Sequence, residues 1–201
     1  QQSGPDGPIA NELDRALIAD LGQVIAQATT AFEQFEYARA LETTEKFFWD
    51  AFTDNYIELT KVRARSETDL EGRASAVATL RIGLSVLLRL FAPFVPTITD
   101  EVWSWAYAGG GGGKSIHVSA WPTIDELAIV QRPIHRNSFE VACMAMAAVR
   151  KKKTEEGLSL VHPVQRLILT CPRSAQGIID QVKDDVRAAS SASEIDPRMR
   201  P

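Results

Sequence analysis

The residues most able to do chemistry lie in FFWDAFTDNYIEL, residues 47–59, and in the KVRAR that follows closely. Lys46, Asp50 and Asp54 recur every four residues, a spacing that places them on one face of a helix. Asn55 lies beside this row and adds an amide that can both donate and accept hydrogen bonds. The aromatic residues predict a buried face on the same helix. The open question is therefore what the polar row contacts.

A second candidate is AGGGGGKS, residues 108–115, which nearly spells a phosphate-binding loop that ends in GKS. Such a loop works when a strand precedes it and a helix follows, because backbone amides and the helix N-terminus then face the phosphates. Here a helix comes first and an extended segment follows. The sequence therefore favours a plain loop over a nucleotide site.

Two basic clusters, KVRAR at residues 61–65 and RKKK at residues 150–153, could each meet an anion. Each is also explained as the positive end of a helix, which complements the helix macrodipole. The histidines and the two cysteines are scattered, without the spacing of metal-binding or nucleophilic motifs. The sequence therefore predicts no catalytic residue and no metal site in this chain.

The composition restricts the possible partners. The chain has 201 residues, 45% of them hydrophobic, and its 22 Lys and Arg against 26 Asp and Glu give a net charge of −4. A protein that bound a polyanion through overall charge would be basic, so such binding requires a local patch. There is neither a run of 18 apolar residues nor an apolar leader, which predicts a soluble, cytoplasmic protein without a membrane partner.

Apolar residues at steps of three and four predict helices over residues 9–32, from residue 32 through the aromatic stretch, and over residues 73–91. SETDLEGRAS reads as the loop before the third helix, and Pro93 and Pro96 end that helix. Thr97 is the predicted N-cap of a short fourth helix, TDEVWSWAYA. The predicted inward stripe of the second helix is Phe48, Phe52, Tyr56 and Leu59, with Trp49 alongside. Four helices with short connections predict an antiparallel bundle.

After the glycine run the pattern changes. SIHVSAWP reads as extended, residues 133–157 as a helix, VQRLILTCP as a strand, GIIDQVKDDVRAA as a short helix, and SSASEIDPRMRP as a tail or frayed strand. We place a domain boundary near residue 125. The predicted fold class is mainly α: a helical bundle over residues 1–125, followed by a small α/β unit over residues 126–201.

Several segments together resemble one family. FFWDAFTDNYIELTKVRAR and LRLFAPFVPTITDEVW are similar to passages of the anticodon-binding bundle of class I aminoacyl-tRNA synthetases for aliphatic amino acids. SIHVSAWP and VRKKKTEEGLSL followed by VQRLIL are similar to segments of the bacterial valyl branch. The resemblance covers roughly residues 12–170.

This resemblance implies an RNA-binding module that positions tRNA(Val) by its anticodon stem-loop. The family's two adenylate-site signatures, its catalytic domain and its editing domain are absent from the chain. They would be partners within the same longer polypeptide, a valine–tRNA ligase whose ATP and Mg²⁺ bind outside this fragment, which itself holds no cofactor. The polar opening QQSGPDG is typical of a domain cut from a longer protein or of a tag remnant.

The resemblance also assigns roles to the candidate residues. Asn55 suits a base edge, and Asp50 and Asp54 could either accept from the exocyclic amine of a base or repel a misplaced phosphate. The cations would contact phosphates; they are Lys46, Lys61, Arg63 and Arg65, with Arg39 and Arg81 as weaker candidates.

Three alternatives stay open at this point. The chain could be the equivalent domain of an isoleucyl-type or leucyl-type relative. It could be a helical scaffold that docks another protein and has no RNA role. A nucleotide-binding enzyme is the third alternative, and it depends on residues 108–115.

Overall fold

A computed structural model describes residues 7–107 and 114–199 of the chain. These residues include seven α-helices and two β-strands. The helices are α1 (Glu12–Glu33), α2 (Tyr37–Lys46), α3 (Glu58–Thr60), α4 (Leu70–Phe91), α5 (Pro96–Ala106), α6 (Ser138–Glu155) and α7 (Gln176–Ala189). The strands are β1 (Val164–Cys171) and β2 (Ala192–Met199). A π-helical segment, Phe47–Ile57, joins α2 to α3. The predicted class, mainly α with a small α/β unit, is confirmed.

Helix α1 has a regular start and an unusual end. Its N-cap is Asn11, whose side-chain oxygen accepts a hydrogen bond from the Leu13 amide at 2.9 Å. At the other end the Glu36 amide donates to the Ala31 carbonyl at 2.8 Å, and Phe35 takes a φ of +62°. Proteins usually give this left-handed position to glycine. Here the side chain is an exposed aromatic ring.

Helix α4 begins earlier than predicted. Asp69 accepts a hydrogen bond from the Gly72 amide at 2.9 Å, and this cap starts the helix at Leu70, inside the segment predicted to be a loop. The helix has a mean hydropathy of 1.6 over 18 residues and is thus long and apolar enough to cross a membrane, but half of that window is buried inside the protein. That burial is what a core helix of a bundle shows.

The segment between the bundle and α6 corrects two predictions. Pro96, not Thr97, opens α5, because proline's fixed φ suits the first helical position and its missing N–H is not needed there. SIHVSAWP holds a 3₁₀ turn at Ile116–Val118 instead of an extended segment. The Trp121 ring lies 4.9 Å from the Phe32 ring and so packs on the end of α1. The predicted loop at residues 108–115 lies mostly outside the described residues.

The small α/β unit is a strand–helix–strand arrangement in which α7 connects two parallel strands. β1 pairs with β2 from Val164 opposite Ala192 to Cys171 opposite Met199, so the last segment, predicted to be a tail or a frayed strand, is a strand. One hydrophobic core runs across residue 125, because Leu13 and Leu17 of α1 belong to the same buried cluster as Phe139 of α6 and Val182 of α7. A boundary near residue 125 remains a proposal about sequence organisation.

Candidate nucleic-acid interface

The aromatic stretch adopts an uncommon conformation. Phe47–Ile57 is π-helical over eleven residues, whereas π-helical geometry usually appears as a single turn within an α-helix. The wider turn aligns residues five apart, and the Asn55 side-chain nitrogen donates to the Asp50 carbonyl at 2.6 Å. Such segments are rare and frequently occur at functional sites.

The inner side of this segment packs on α4. Phe52, Tyr56 and Leu59 are buried, as predicted, and Phe48 is half-buried against the same core. Phe52 lies against Gly83, where an added Cβ would come within 2.5 Å of a carbon of its ring. The Phe52 ring therefore occupies the space that a side chain at position 83 would need. Trp49 departs from the prediction, since it is 56% exposed and faces solvent.

The outer side carries the predicted polar row. Lys46, Asp50 and Asp54 are all exposed, at the four-residue spacing read from the sequence. Asn55 lies beside them and is half-buried. The exposed surface at this segment therefore includes Lys46, Asp50 and Asp54 and, in part, Asn55. We call this surface, with Trp49, the polar face.

A cation that the sequence did not assign joins the polar face. Arg150 of α6 donates to the Asn55 side-chain oxygen at 3.1 Å and to the Asp54 carbonyl at 2.8 Å. Both ends of the Asn55 amide are therefore already engaged, which limits the base-reading role that the sequence suggested. The RKKK run was visible in the sequence, but no sequence signal links Arg150 to a residue 95 positions away.

The same basic run also contains a structural lysine. Lys153 is buried, and its ammonium group donates to the carbonyl oxygens of Leu160 at 2.8 Å, His162 at 2.8 Å and Ser190 at 2.9 Å. It ties the end of α6 to the residues around both strands. Lys151 and Lys152 remain exposed. Only part of this cluster is thus available to a partner.

Arg63 is corrected from a phosphate contact to a buried structural residue. Its side chain is 9% exposed, and its guanidinium donates to Asp14 at 2.8 Å and to Asp185 at 2.8 Å. Burial alone would lower the pKa of Arg63, but the hydrogen bonds and charges of Asp14 and Asp185 outweigh burial and raise that pKa. A guanidinium held by two carboxylates cannot also meet an RNA phosphate.

Asp14 is the centre of this buried network. Besides Arg63, it accepts a hydrogen bond from the Tyr56 hydroxyl at 2.7 Å and from the Ser75 hydroxyl at 2.6 Å. Burial raises the pKa of Tyr56 well above its usual value, so the phenol stays a neutral donor. Through Tyr56 the network fixes the end of the π-helical segment against α1 and α4.

The remaining candidate cations are spread over several elements. Arg65 is exposed just after α3, whereas Lys61 is half-buried and pairs with Glu58. Arg39 lies near the start of α2 and pairs with Glu36 at 2.9 Å. Arg81 is exposed on α4, where its carbonyl accepts from the Tyr107 hydroxyl at 2.6 Å. Arg39 and Arg81 thus lie on other elements than Lys61 and Arg65, which follow α3.

The cysteines are shielded. Cys143 is half-buried on α6 and Cys171 is buried at the end of β1. Burial raises the pKa of Cys143 to about 12, with smaller contributions from nearby charges. In residues 7–107 and 114–199 no group of three His, Cys, Asp or Glu side chains could hold a metal ion.

The raised pKa predicts that Cys143 reacts slowly while the protein is folded. The thiolate is the reactive form, and at pH 8 almost none of it is present when the pKa is about 12. We expect a thiol reagent such as DTNB to label the unfolded chain at both cysteines rapidly and the folded chain at least ten times more slowly, because a free cysteine has a pKa of about 8.5. Rapid labelling of the folded chain at Cys143 would contradict this assignment.

Comparisons with known proteins agree with this architecture. Residues 14–168 match the family described as the anticodon-binding domain of tRNA ligase. The chain is 39% identical to the valine–tRNA ligase of Salinispora tropica over 94% of its own length and 23% of that protein. It is 38% identical to the valine–tRNA ligase of Thermobifida fusca, over 93% of its length and 20% of that protein. The chain thus spans about a fifth of these relatives.

A third relative, the valine–tRNA ligase of Leifsonia xyli, is 38% identical over 91% of the chain. The family match covers the bundle, the polar face, α6 and most of β1. The chain belongs to the family of anticodon-binding domains of tRNA ligases.

Proposed function

We propose that this chain is the part of a valine–tRNA ligase that holds the anticodon arm of tRNA(Val). The observation that carries the proposal is the polar face, an exposed row of charged side chains on a helical segment whose other side is locked into the core. Anticodon loops present unstacked bases, which proteins read by stacking and by hydrogen bonds to base edges. A rigid helix surface is suited to that task.

In this proposal the charges on the polar face have distinct tasks. Asp50 and Asp54 accept hydrogen bonds from exocyclic amines, while Lys46 at one end of the row contacts phosphate. Arg65, exposed beyond α3, and Arg150, at the other end of the row, add positive charge. The acids between the cations hold the phosphates away from the row itself. We leave Arg63 out of the contact set.

The rest of the intact protein would carry out the reaction. We propose that its catalytic domain, with ATP and Mg²⁺, attaches valine to the tRNA, that an editing domain belongs to the same polypeptide, and that the enzyme works in the cytoplasm. This proposal comes from the valine–tRNA ligases that the chain resembles. The test below addresses the RNA-binding part of the proposal within this chain.

A salt titration tests whether the chain binds RNA through phosphate contacts. If three or four phosphates are neutralised, a plot of log K against log salt for a tRNA(Val) transcript should have a slope of about −2 to −3. Replacing Lys46 or Arg65 with alanine should make the slope shallower by about 0.7 each, since each removes one phosphate contact. Fluorescence anisotropy of labelled tRNA measures both quantities.

Lys152→Ala serves as the control for these variants. Lys152 is exposed on α6 and pairs with Glu156 at 3.0 Å, so its removal changes the net charge by the same amount. We expect its slope to match that of the wild type. A salt-independent affinity for tRNA, or an equal effect of all three substitutions, would show that the polar face does not bind RNA.

A further inference from the structure

We propose that Trp49 is the platform on which an unpaired base of the bound RNA stacks. The proposal rests on the proposed function and adds a residue that none of the charged candidates includes. Trp49 lies on the outer side of the π-helical segment, with 56% of its surface exposed. A large apolar ring in that position is available to a partner.

Aromatic contacts on its protein-facing side hold the Trp49 indole in place. The Trp49 ring meets the Phe48 ring at a centroid distance of 4.8 Å and an angle of 70°, and the Phe48 ring meets that of Phe91 at 5.6 Å and 86°. This chain of edge-to-face contacts leads from the polar face to the end of α4. The ring is therefore already ordered before binding, so stacking a base on it costs little side-chain entropy.

The neighbours of Trp49 suit the polar edge of a base. Lys46 lies three residues before Trp49 and Asp50 follows it directly, and all three side chains are exposed. A base stacked on the indole would present its edge to this charged surface. The ammonium can donate to ring nitrogens or carbonyl oxygens, and the carboxylate can accept from an exocyclic amine.

The backbone conformation supports the same position. A run of π-helix is uncommon, and this one begins at Phe47, two residues before Trp49. Its wider turn changes the angular spacing of side chains relative to an α-helix, and Trp49 lies on the exposed side. A flat ring with polar groups on two sides favours a nucleobase over an apolar protein surface.

The experiment compares three substitutions in the binding of an RNA hairpin that carries the anticodon loop of tRNA(Val). Trp49→Ala should weaken binding by about 5- to 100-fold, the usual loss when an aromatic stacking partner is removed. Trp49→Phe keeps a ring and should stay within about threefold of the wild type. Trp105→Ala is the matched control, because Trp105 is 72% exposed on α5, outside the polar face, and should change affinity by less than about twofold.

A second measurement uses the unaltered protein and does not depend on how the variants fold. Each loop nucleotide of the hairpin is replaced in turn by an abasic one. One position should lose as much affinity with wild-type protein as Trp49→Ala loses with intact RNA, and the two losses should not add. The salt slope should remain unchanged in Trp49→Ala, since the lost contact is uncharged.

The outcomes separate this inference from the proposed function. If wild-type protein binds the hairpin with the expected salt dependence but Trp49→Ala binds equally well, the stacking role is wrong and RNA binding stands. The same conclusion follows if Trp105→Ala causes an equal loss of affinity. It also follows if Trp49→Ala lowers the affinity further at every abasic position. If wild-type protein shows no binding to either the hairpin or the full tRNA, both proposals fail together.

Discussion

Replacing Arg63 with alanine is expected to lower the free energy of unfolding by about 3–5 kcal/mol. The substitution leaves the carboxylates of Asp14 and Asp185 buried without their shared cation. Asp14 keeps its hydrogen bonds from Tyr56 and Ser75, but two like charges then face each other in a desolvated site. Urea denaturation followed by circular dichroism measures the loss.

Arg65→Ala is the control for Arg63→Ala, because Arg65 is exposed two residues away and should cost less than about 0.5 kcal/mol. In RNA binding we expect the larger effect from Arg65→Ala and the smaller one from Arg63→Ala. Arg65→Ala should weaken binding to tRNA, whereas Arg63→Ala, measured at a temperature where it is still folded, should leave the affinity nearly unchanged. A stable Arg63→Ala variant with weakened RNA binding would restore Arg63 as a phosphate contact.

Replacing Phe52 with alanine should cost a similar amount, about 3–5 kcal/mol, for an apolar reason. The ring is 5% exposed, stacks with Tyr56 at a centroid distance of 6.1 Å and lies against Gly83 of α4. Gly83 has no side chain that could move into the space left by the ring, so the substitution leaves a cavity beside α4. Thermal and urea unfolding measure the effect.

Ile57→Ala is the matched apolar control for Phe52→Ala. Ile57 belongs to the same π-helical segment but is 36% exposed, and we expect its loss to be about 1 kcal/mol or less. A loss below about 1 kcal/mol for Phe52→Ala would mean that the π-helical segment is not fixed by its packing on α4. The rigidity assumed for the polar face would then have no basis.

The spacing of apolar residues in the sequence was sufficient to predict most of the helices and one strand. The apolar spacing predicted α1, the core part of α4, α6 and α7, and the flanked apolar run predicted β1. The errors lie at element ends, where one capping side chain decides the outcome. Asp69 starts α4 within a segment rich in polar residues, and Pro96 moves the start of α5 two residues earlier than an N-cap at Thr97 would place it. These are local choices that an apolar period does not encode.

Some features of the candidate site could likewise be predicted from the sequence, and others could not. The exposure of Lys46, Asp50 and Asp54 follows from the helical period, because the opposite side of the helix is apolar. The burial of Arg63 could not be read from the sequence, since its partners lie 49 and 122 residues away. The outward position of Trp49 was missed because the wider π-helical turn rotates side chains relative to an α-helix.

The turn at Phe35 has a consequence for how the first hairpin acquires its shape. A bulky residue at φ +62° disfavours the turn locally, at a cost of about 1–3 kcal/mol. The adjacent Phe32 ring is fixed by Trp121 and Phe94, which come much later in the chain. The reversal between the first two helices is therefore not a self-contained nucleus, and we expect a peptide of residues 7–60 alone to sample it only fleetingly. Its geometry depends on distant rings as well as on local hydrogen bonds.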